Sequence, residues 1–232
     1  MSNLIAIVAP SGCGKSTSLF PAPQIGIKGL NPEETLFINV AGKPLPVRGA
    51  LKLYPPDIHP KDGGNYIETS DPEVIRKALK LASSQERFKN VVIDDAGYIM
   101  GFDTMNRSQE KGFEKWTDLA AKMFGVINDA RTLRRDLSVI CIFHQEVGKD
   151  GVLKIKTSGQ LLDNTIYLDG LFTYILYANV QKDFKTGNVE YKFRTKSDGQ
   201  STCKTPVGCF NEEYIPNDMG YVIDTINDYY NG

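Results

Sequence analysis

The stretch Ala9-Pro10-Ser11-Gly12-Cys13-Gly14-Lys15-Ser16-Thr17 follows directly on the apolar run Leu4-Ile5-Ala6-Ile7-Val8. It matches the phosphate-binding P-loop pattern, with Ala9 where the first Gly usually stands. Each part has a task on a polyphosphate. The run Leu4–Val8 reads as a buried strand. Gly12 and Gly14 let the chain turn back so that backbone N–H groups point at phosphate oxygens. A helix starting near Gly14 would bring its positive end to the same place. Lys15 would reach the β- and γ-phosphates, and the Ser16 hydroxyl would sit on Mg²⁺. Pro10, Ser11, Gly12, Cys13, Gly14, Lys15, Ser16 and Thr17 are therefore the expected nucleotide-binding residues. The pattern arises by chance in a chain of this size roughly 2% of the time. A dinucleotide fingerprint fits less well, because Thr17 stands where a third Gly or Ala belongs and Lys15 has no role in it.

Working outward, the helix after the P-loop must be short, since Pro21 and Pro23 stop it near Phe20. Thr35–Val40 reads as a second strand. Residues 41–69, rich in Gly, Pro and Lys and without periodicity, read as a long loop. Asp71-Pro72 opens a helix, with Asp as N-cap and Pro in the first turn. Val91-Val92-Ile93 is a third strand, ending in Asp94-Asp95. An amphipathic helix spans roughly Gln109 to Arg134, with Phe113, Trp116, Leu119 and Met123 on its apolar face. Val139–Phe143 is a fourth strand, followed by His144-Gln145-Glu146. Strands alternating with helices predict a parallel α/β sheet. After Gly148 the grammar changes. Tyr174–Gln181 and Val189–Thr195 read as strands joined around Thr186-Gly187-Asn188, a hairpin signal, and Tyr221–Tyr230 as a closing helix. The expected fold is one α/β domain over residues 1–232. A parallel nucleotide-binding core (1–147) carries an antiparallel extension and terminal helix (148–232).

The bulk composition narrows the class. At 232 residues and 41% apolar the chain has ample material for one core, and a net charge of −1 announces no global nucleic-acid field. Charge is uneven locally. Lys182 to Lys204 carries six basic residues against three acidic ones, whereas Asn211 to Gly232 carries five acidic residues and no Lys or Arg. Cys13, Cys141, Cys203 and Cys209 show no C-x-x-C spacing, which argues against zinc and against a disulfide framework. The chain reads as reduced and cytoplasmic. Leu4–Val8 is too short for a signal peptide and lacks a basic flank, and no apolar run approaches membrane-spanning length.

The chemistry needs a second motif. An apolar strand ending in an acidic residue, Val91-Val92-Ile93-Asp94, is the Walker B pattern and would deliver Asp94 to the Mg²⁺ held by Ser16. Asp95 is the candidate carboxylate for orienting or deprotonating an attacking water, with Glu146 as the alternative. His144 and Gln145, beyond the end of a parallel strand where ligands bind, are candidate sensors of the γ-phosphate. Arg194 and Lys196 could add positive charge to a nucleotide being cleaved. Arg131, Arg134 and Arg135 form a basic edge that a helix C-terminus alone would justify.

With these residues in hand, the chain resembles a RecA-like P-loop ATPase of the compact phage type. That group includes the single-strand-annealing and recombination ATPases of bacteriophages. The resemblance rests on residues 9–17, on V-V-I-D-D at 91–95 and on C-I-F-H-Q-E at 141–146, with R-T-K at 194–196 as weaker support. It implies ATP and Mg²⁺ as cofactors and side-by-side assembly into a homo-oligomer. It further implies trans-acting roles for Arg194 and Lys196, a sensor role for His144 or Gln145, and single-stranded DNA as partner. The DNA would be held by loops around Lys149–Ser158 and Gly101–Arg107. One departure stands out: Asn39-Val40-Ala41 offers no Glu where RecA-like enzymes usually carry one. Two other functions compete, a nucleotide or small-molecule kinase and a non-hydrolysing nucleotide-dependent assembly factor. Arg131, Arg134 and Arg135 make a poor kinase lid, while the missing Glu favours the assembly factor.

Overall fold

Alternate residues of a strand face opposite ways, and here both faces are apolar. In the computed structural model, which describes residues 1–55, 64–158, 166–182 and 185–232, Leu4, Ala6 and Val8 of β1 (Asn3–Val8) enter one core. Ile5 and Ile7 enter the other. The same division runs through β2 (Thr35–Asn39), β4 (Asn90–Asp94) and β5 (Ser138–Phe143), every residue of which is buried. Strands buried on both faces read as continuous apolar runs and belong to a parallel sheet covered on both sides.

The sheet has eight strands in the order β10-β9-β8-β1-β5-β4-β2-β3. The others are β3 (Tyr66–Glu68), β8 (Tyr174–Lys182), β9 (Val189–Arg194) and β10 (Tyr214–Pro216). From β8 to β3 the neighbours are parallel, whereas β9 and β10 join antiparallel. The expected α/β architecture, a mainly parallel sheet extended by C-terminal antiparallel strands, is therefore what forms. A separate hairpin, β6 (Gln145–Val147) with β7 (Leu153–Ile155), springs from the end of β5.

Helices α2 (Pro72–Ser84), α3 (Tyr98–Asn106) and α4 (Glu114–Arg131) cover one face, through residues such as Leu79, Met100 and Ile127. The opposite face is covered by α5 (Met219–Asn231), by Leu19 and Phe20, and by Tyr54 just after α1 (Ala50–Leu53). Asp71 caps α2 as expected, accepting from the N–H groups of Glu73 and Val74.

Several expectations need correction. The helix after the P-loop is only a single 3-10 turn, Thr17–Leu19. Pro21 and the packing of Leu19 and Phe20 into the core end it, so no long helix dipole stands behind the loop. Residues 41–69 are not one loop: they contain α1 and β3, and residues 56–63 lie outside the described set. Residues 101–107 are largely helical, within α3. Arg107 at its end pairs with Asp103, Glu110 and Asp118, which offers no open loop to a polyanion. Phe113 is 69% exposed because α4 begins only at Glu114, and Trp116, in the first turn of that helix, remains 37% exposed. Arg134 is structural. Its guanidinium donates to the carbonyls of Ala82, Ser83, Gln85 and Phe88, satisfying the open C-terminal end of α2.

Asp218, the N-cap of α5, also fastens the turn that borders the P-loop. Its Oδ1 accepts from Gly220 N at 2.8 Å and Gly29 N at 2.9 Å, and its Oδ2 from Lys28 N at 2.7 Å. Asp218→Ala strands these buried donors, each worth about 1 kcal/mol or more. The expected loss is about 3 kcal/mol, read as a lower urea midpoint. A midpoint within experimental error of the parent would show that this cap is dispensable.

Candidate functional site

The C-terminal ends of β1, β5 and β4 stop side by side, where crevices of parallel sheets form beyond the strand ends. A cavity of 820 Å³ opens there, lined by Ser11, Gly12, Gly14, Lys15, Ser16 and Thr17 of the P-loop and by Asp94, Asp95 and His144. Gly12 and Gly14 adopt φ of 83° and 78°, the left-handed region that lets the loop fold back over the strand end. Pro10 and Cys13 do not line the cavity but hold its frame. The carbonyl of Pro10 accepts from Lys15 Nζ at 2.7 Å, and that of Cys13 from Asn217 Nδ2 at 3.4 Å.

Lys15 is folded back on its own loop, since Nζ also donates to the carbonyl of Ala9 at 2.9 Å. Burial lowers its pKa, against the pull of nearby Asp95 and Asp94. An ammonium whose hydrogen bonds among the described residues go to two neutral carbonyls, 8% exposed at the floor of a cavity, is a cation ready to exchange them for anionic oxygens.

Ser16 and Asp94 meet across 78 residues of sequence. Ser16 Oγ donates to Asp94 Oδ1 at 3.1 Å. This contact joins the P-loop to the end of β4, and it arises because β5 alone separates the two strands. Burial pushes the Asp94 carboxyl up to about 6, helped by the adjacent Asp95. Among the described residues the one side-chain hydrogen bond to this buried carboxylate comes from a neutral hydroxyl, and the charge of Lys43 acts on it without direct contact, an arrangement that suits a divalent cation. No cluster of three or more His, Cys, Asp or Glu side chains suited to a metal occurs among the described residues. For Mg²⁺ none is needed, because that ion takes one or two carboxylates together with substrate phosphates and water. Ser16 and Asp94 thus fit a Mg²⁺ site that a bound polyphosphate would complete.

Asp95 is held differently. The chain leaves β4 with Asp95 at φ 59°, an uncommon conformation for a residue with a side chain. Its Oδ2 takes a salt bridge from Lys43 at 2.6 Å, and its Oδ1 lies 3.5 Å from His144 Nε2. Burial, followed by the charge of Lys15, lowers the His144 pKa. The imidazole is accordingly neutral at pH 7, packed edge-on against Tyr98.

Lys43 is the residue that sequence reading missed. It sits in the Gly- and Pro-rich stretch after β2, lines the cavity and stands over the Tyr98 ring at 5.2 Å. Its only local signal is the dipeptide Gly42-Lys43 in a loop without periodicity. Opposite, the cavity wall is made by Ile25, Ile27, Val189, Tyr191, Pro216 and Asn217.

The remaining candidates lie elsewhere. Gln145 and Glu146 belong to the β6–β7 hairpin, where Glu146 pairs with Lys154 at 3.2 Å, and neither lines the cavity. Arg194 pairs with Asp198 at 2.6 Å and Glu213 at 2.9 Å. Lys196 donates to the carbonyl of Asn211 at 2.7 Å. Both are outside this cavity. All four cysteines are free thiols. No helix among the described residues is long and apolar enough to cross a membrane.

No protein-family model matches the chain, and no curated protein is similar to it in sequence. Among solved structures it is similar to a KaiC-like protein from the hyperthermophilic archaeon Pyrococcus horikoshii OT3. That likeness has 13% identity and a TM-score of 0.44, and spans 83% of this chain and 77% of the other.

Proposed function

We propose that the chain binds ATP with Mg²⁺ in the cavity above the P-loop and hydrolyses it. The observation that carries this reading is the meeting of Ser16 and Asp94 beside Lys15, which joins a phosphate cradle to a cation-seeking carboxylate. The P-loop N–H groups and Lys15 bind the phosphates, and Lys15 gives up the carbonyls of Ala9 and Pro10 to do so. Ser16 and Asp94 would hold Mg²⁺, which when bound neutralises phosphate charge. Asp95 orients the attacking water and accepts its proton. Lys43 and His144 fix the direction of the Asp95 carboxylate, and Lys43 supplies a second cation near the reacting end.

A role on single-stranded DNA in phage-type recombination, annealing or replication, within a homo-oligomer, rests on the motif resemblance. The placement of β6–β7 supports coupling of such a partner to the nucleotide. The hairpin begins directly after His144, and Lys156 N donates to the His144 carbonyl at 2.9 Å. Its turn carries Lys149, so a polyanion held there would act on the cavity through β5. In a trans role, Arg194 would have to exchange Asp198 and Glu213 for a neighbour's phosphate.

The test is Mg²⁺-dependent ATP hydrolysis with and without single-stranded DNA, using Lys15→Ala as control. Turnover that DNA stimulates and Lys15→Ala abolishes is the expected result. Turnover indifferent to DNA would remove the DNA role. Tight ATP binding with no turnover would turn the reading into the nucleotide-dependent assembly factor.

A further inference from the structure

Beyond the phosphate loop the cavity changes character, and β8 explains why. Val8, the last residue of β1, pairs with Tyr177, so Ala178–Lys182 runs on past the P-loop strand by about 15 Å. It carries β9 with it. Within this overhang Tyr191 pairs with Val180, and nearer the sheet Phe193 pairs with Ala178. Val189, Tyr191 and Phe193 share one face of β9. Phe193 is fully buried in the core, whereas Tyr191 and Val189 are each 48% exposed. An apolar stripe thus leaves the core and enters the cavity. Tyr191 lies against the phosphate loop itself, because a Cβ on Gly14 would stand 3.1 Å from its ring.

Asn217 supplies the polar partner. It is 5% exposed and lines the same end of the cavity. Its Nδ2 is committed to the Cys13 carbonyl, which also fixes which way the amide points. Its Oδ1 accepts no hydrogen bond from any described residue. Asn217 belongs to the cavity lining, and an accessible amide oxygen there that no described residue satisfies is an acceptor available to a ligand's N–H.

We infer that this end of the cavity is a nucleobase subsite selective for adenine, in which Tyr191 stacks on the base and Asn217 Oδ1 accepts from its exocyclic 6-amino group. The inference rests on the nucleotide-binding reading above and adds what that reading leaves open, since a P-loop reads phosphates rather than bases. Adenine presents an amino donor at its 6-position, where guanine and hypoxanthine present a carbonyl oxygen. Against Asn217 Oδ1 a 6-oxo base sets two acceptors face to face, displaces water from that oxygen and gives it no donor in return. The Tyr191 ring contributes stacking that every purine shares, so the two residues divide affinity from selectivity.

Calorimetric titration with ATP, ITP and inorganic tripolyphosphate, each with Mg²⁺, separates these contributions. The parent protein should bind ATP about tenfold more tightly than ITP. Asn217→Ala should bring the two to near equality, and any weakening that follows from losing its tie to the Cys13 carbonyl should fall equally on ATP, ITP and tripolyphosphate, so the ATP-to-ITP ratio is the readout. Tyr191→Ala should weaken ATP and ITP alike by about tenfold, and tripolyphosphate by less. The tripolyphosphate titration also reports whether each variant retains a folded phosphate loop. Equal affinity of the parent for ATP and ITP, or a Tyr191→Ala variant that binds ATP like the parent, overturns the subsite while leaving the phosphate site standing. Failure of the parent to bind any of the three ligands overturns both readings together.

Discussion

Replacing Asp94 with Asn is expected to stabilise the metal-free protein by about 3 kcal/mol at pH 7 while reducing Mg²⁺-dependent turnover by about a hundredfold or more. The two effects have one cause. Burial beside Asp95 lifts the Asp94 carboxyl to about 6, above its value in an unfolded chain. A folded-state value that is raised means the ionised group destabilises the fold above about pH 6, and the penalty disappears as pH falls towards 4. Asn carries no charge to desolvate and still offers an oxygen to the Ser16 hydroxyl, so the penalty goes. The negative charge that a cation needs goes with it. Urea unfolding with a chelator present, at pH 7 and pH 4.5, reads the first effect. The variant should exceed the parent at pH 7 and lose most of that advantage at pH 4.5. A variant less stable than the parent at pH 7 would mean that Asp94 is already neutralised within the fold, and the divalent-cation argument would fail with it.

Asp95→Asn should lower kcat by about 10²- to 10⁴-fold, the usual contribution of a positioned proton acceptor, while the Kd for ATP changes little. The variant keeps the shape of the side chain and loses only its charge and basicity. Lys43→Ala is the informative companion. If Lys43 acts by aiming Asp95, its removal lowers kcat but leaves a residual rate that still depends on Asp95. The double variant then falls no further than Asp95→Asn alone. If the two residues act independently, the losses multiply. A single Asp95→Asn variant with parental kcat would remove Asp95 from the chemistry and leave the salt bridge to Lys43 as a structural tie.

Most of the fold was legible because its signals are local. The run Leu4–Val8 and the apolar stretch Val139–Phe143 are continuous because both sheet faces are covered, and a parallel sheet leaves that imprint on composition. Pro21 marked the early end of the post-loop helix, although the structure shortens it further to a 3-10 turn. Phe113 looked like core on periodicity, which cannot report that α4 starts only at Glu114, and Trp116 looked so too although it stays exposed in the first turn of that helix. Arg134 looked like a surface cation, because the carbonyls it satisfies lie on another helix about fifty residues earlier in the chain.

The sequence by itself determined the glycine-rich turn after β1, the strand that ends in Asp94, and the parallel character of the core. Each of these is written in contiguous residues whose backbone preferences and apolar period act over a few positions. Only the tertiary structure decided which charges face one another. Lys43 closes on Asp95, Arg194 is taken by Asp198 and Glu213, and Tyr191 with Asn217 walls the far end of the cavity. Those choices depend on strand order and on how far β8 overhangs β1. Strand order is set by the packing of whole elements, and no local pattern of side chains encodes it.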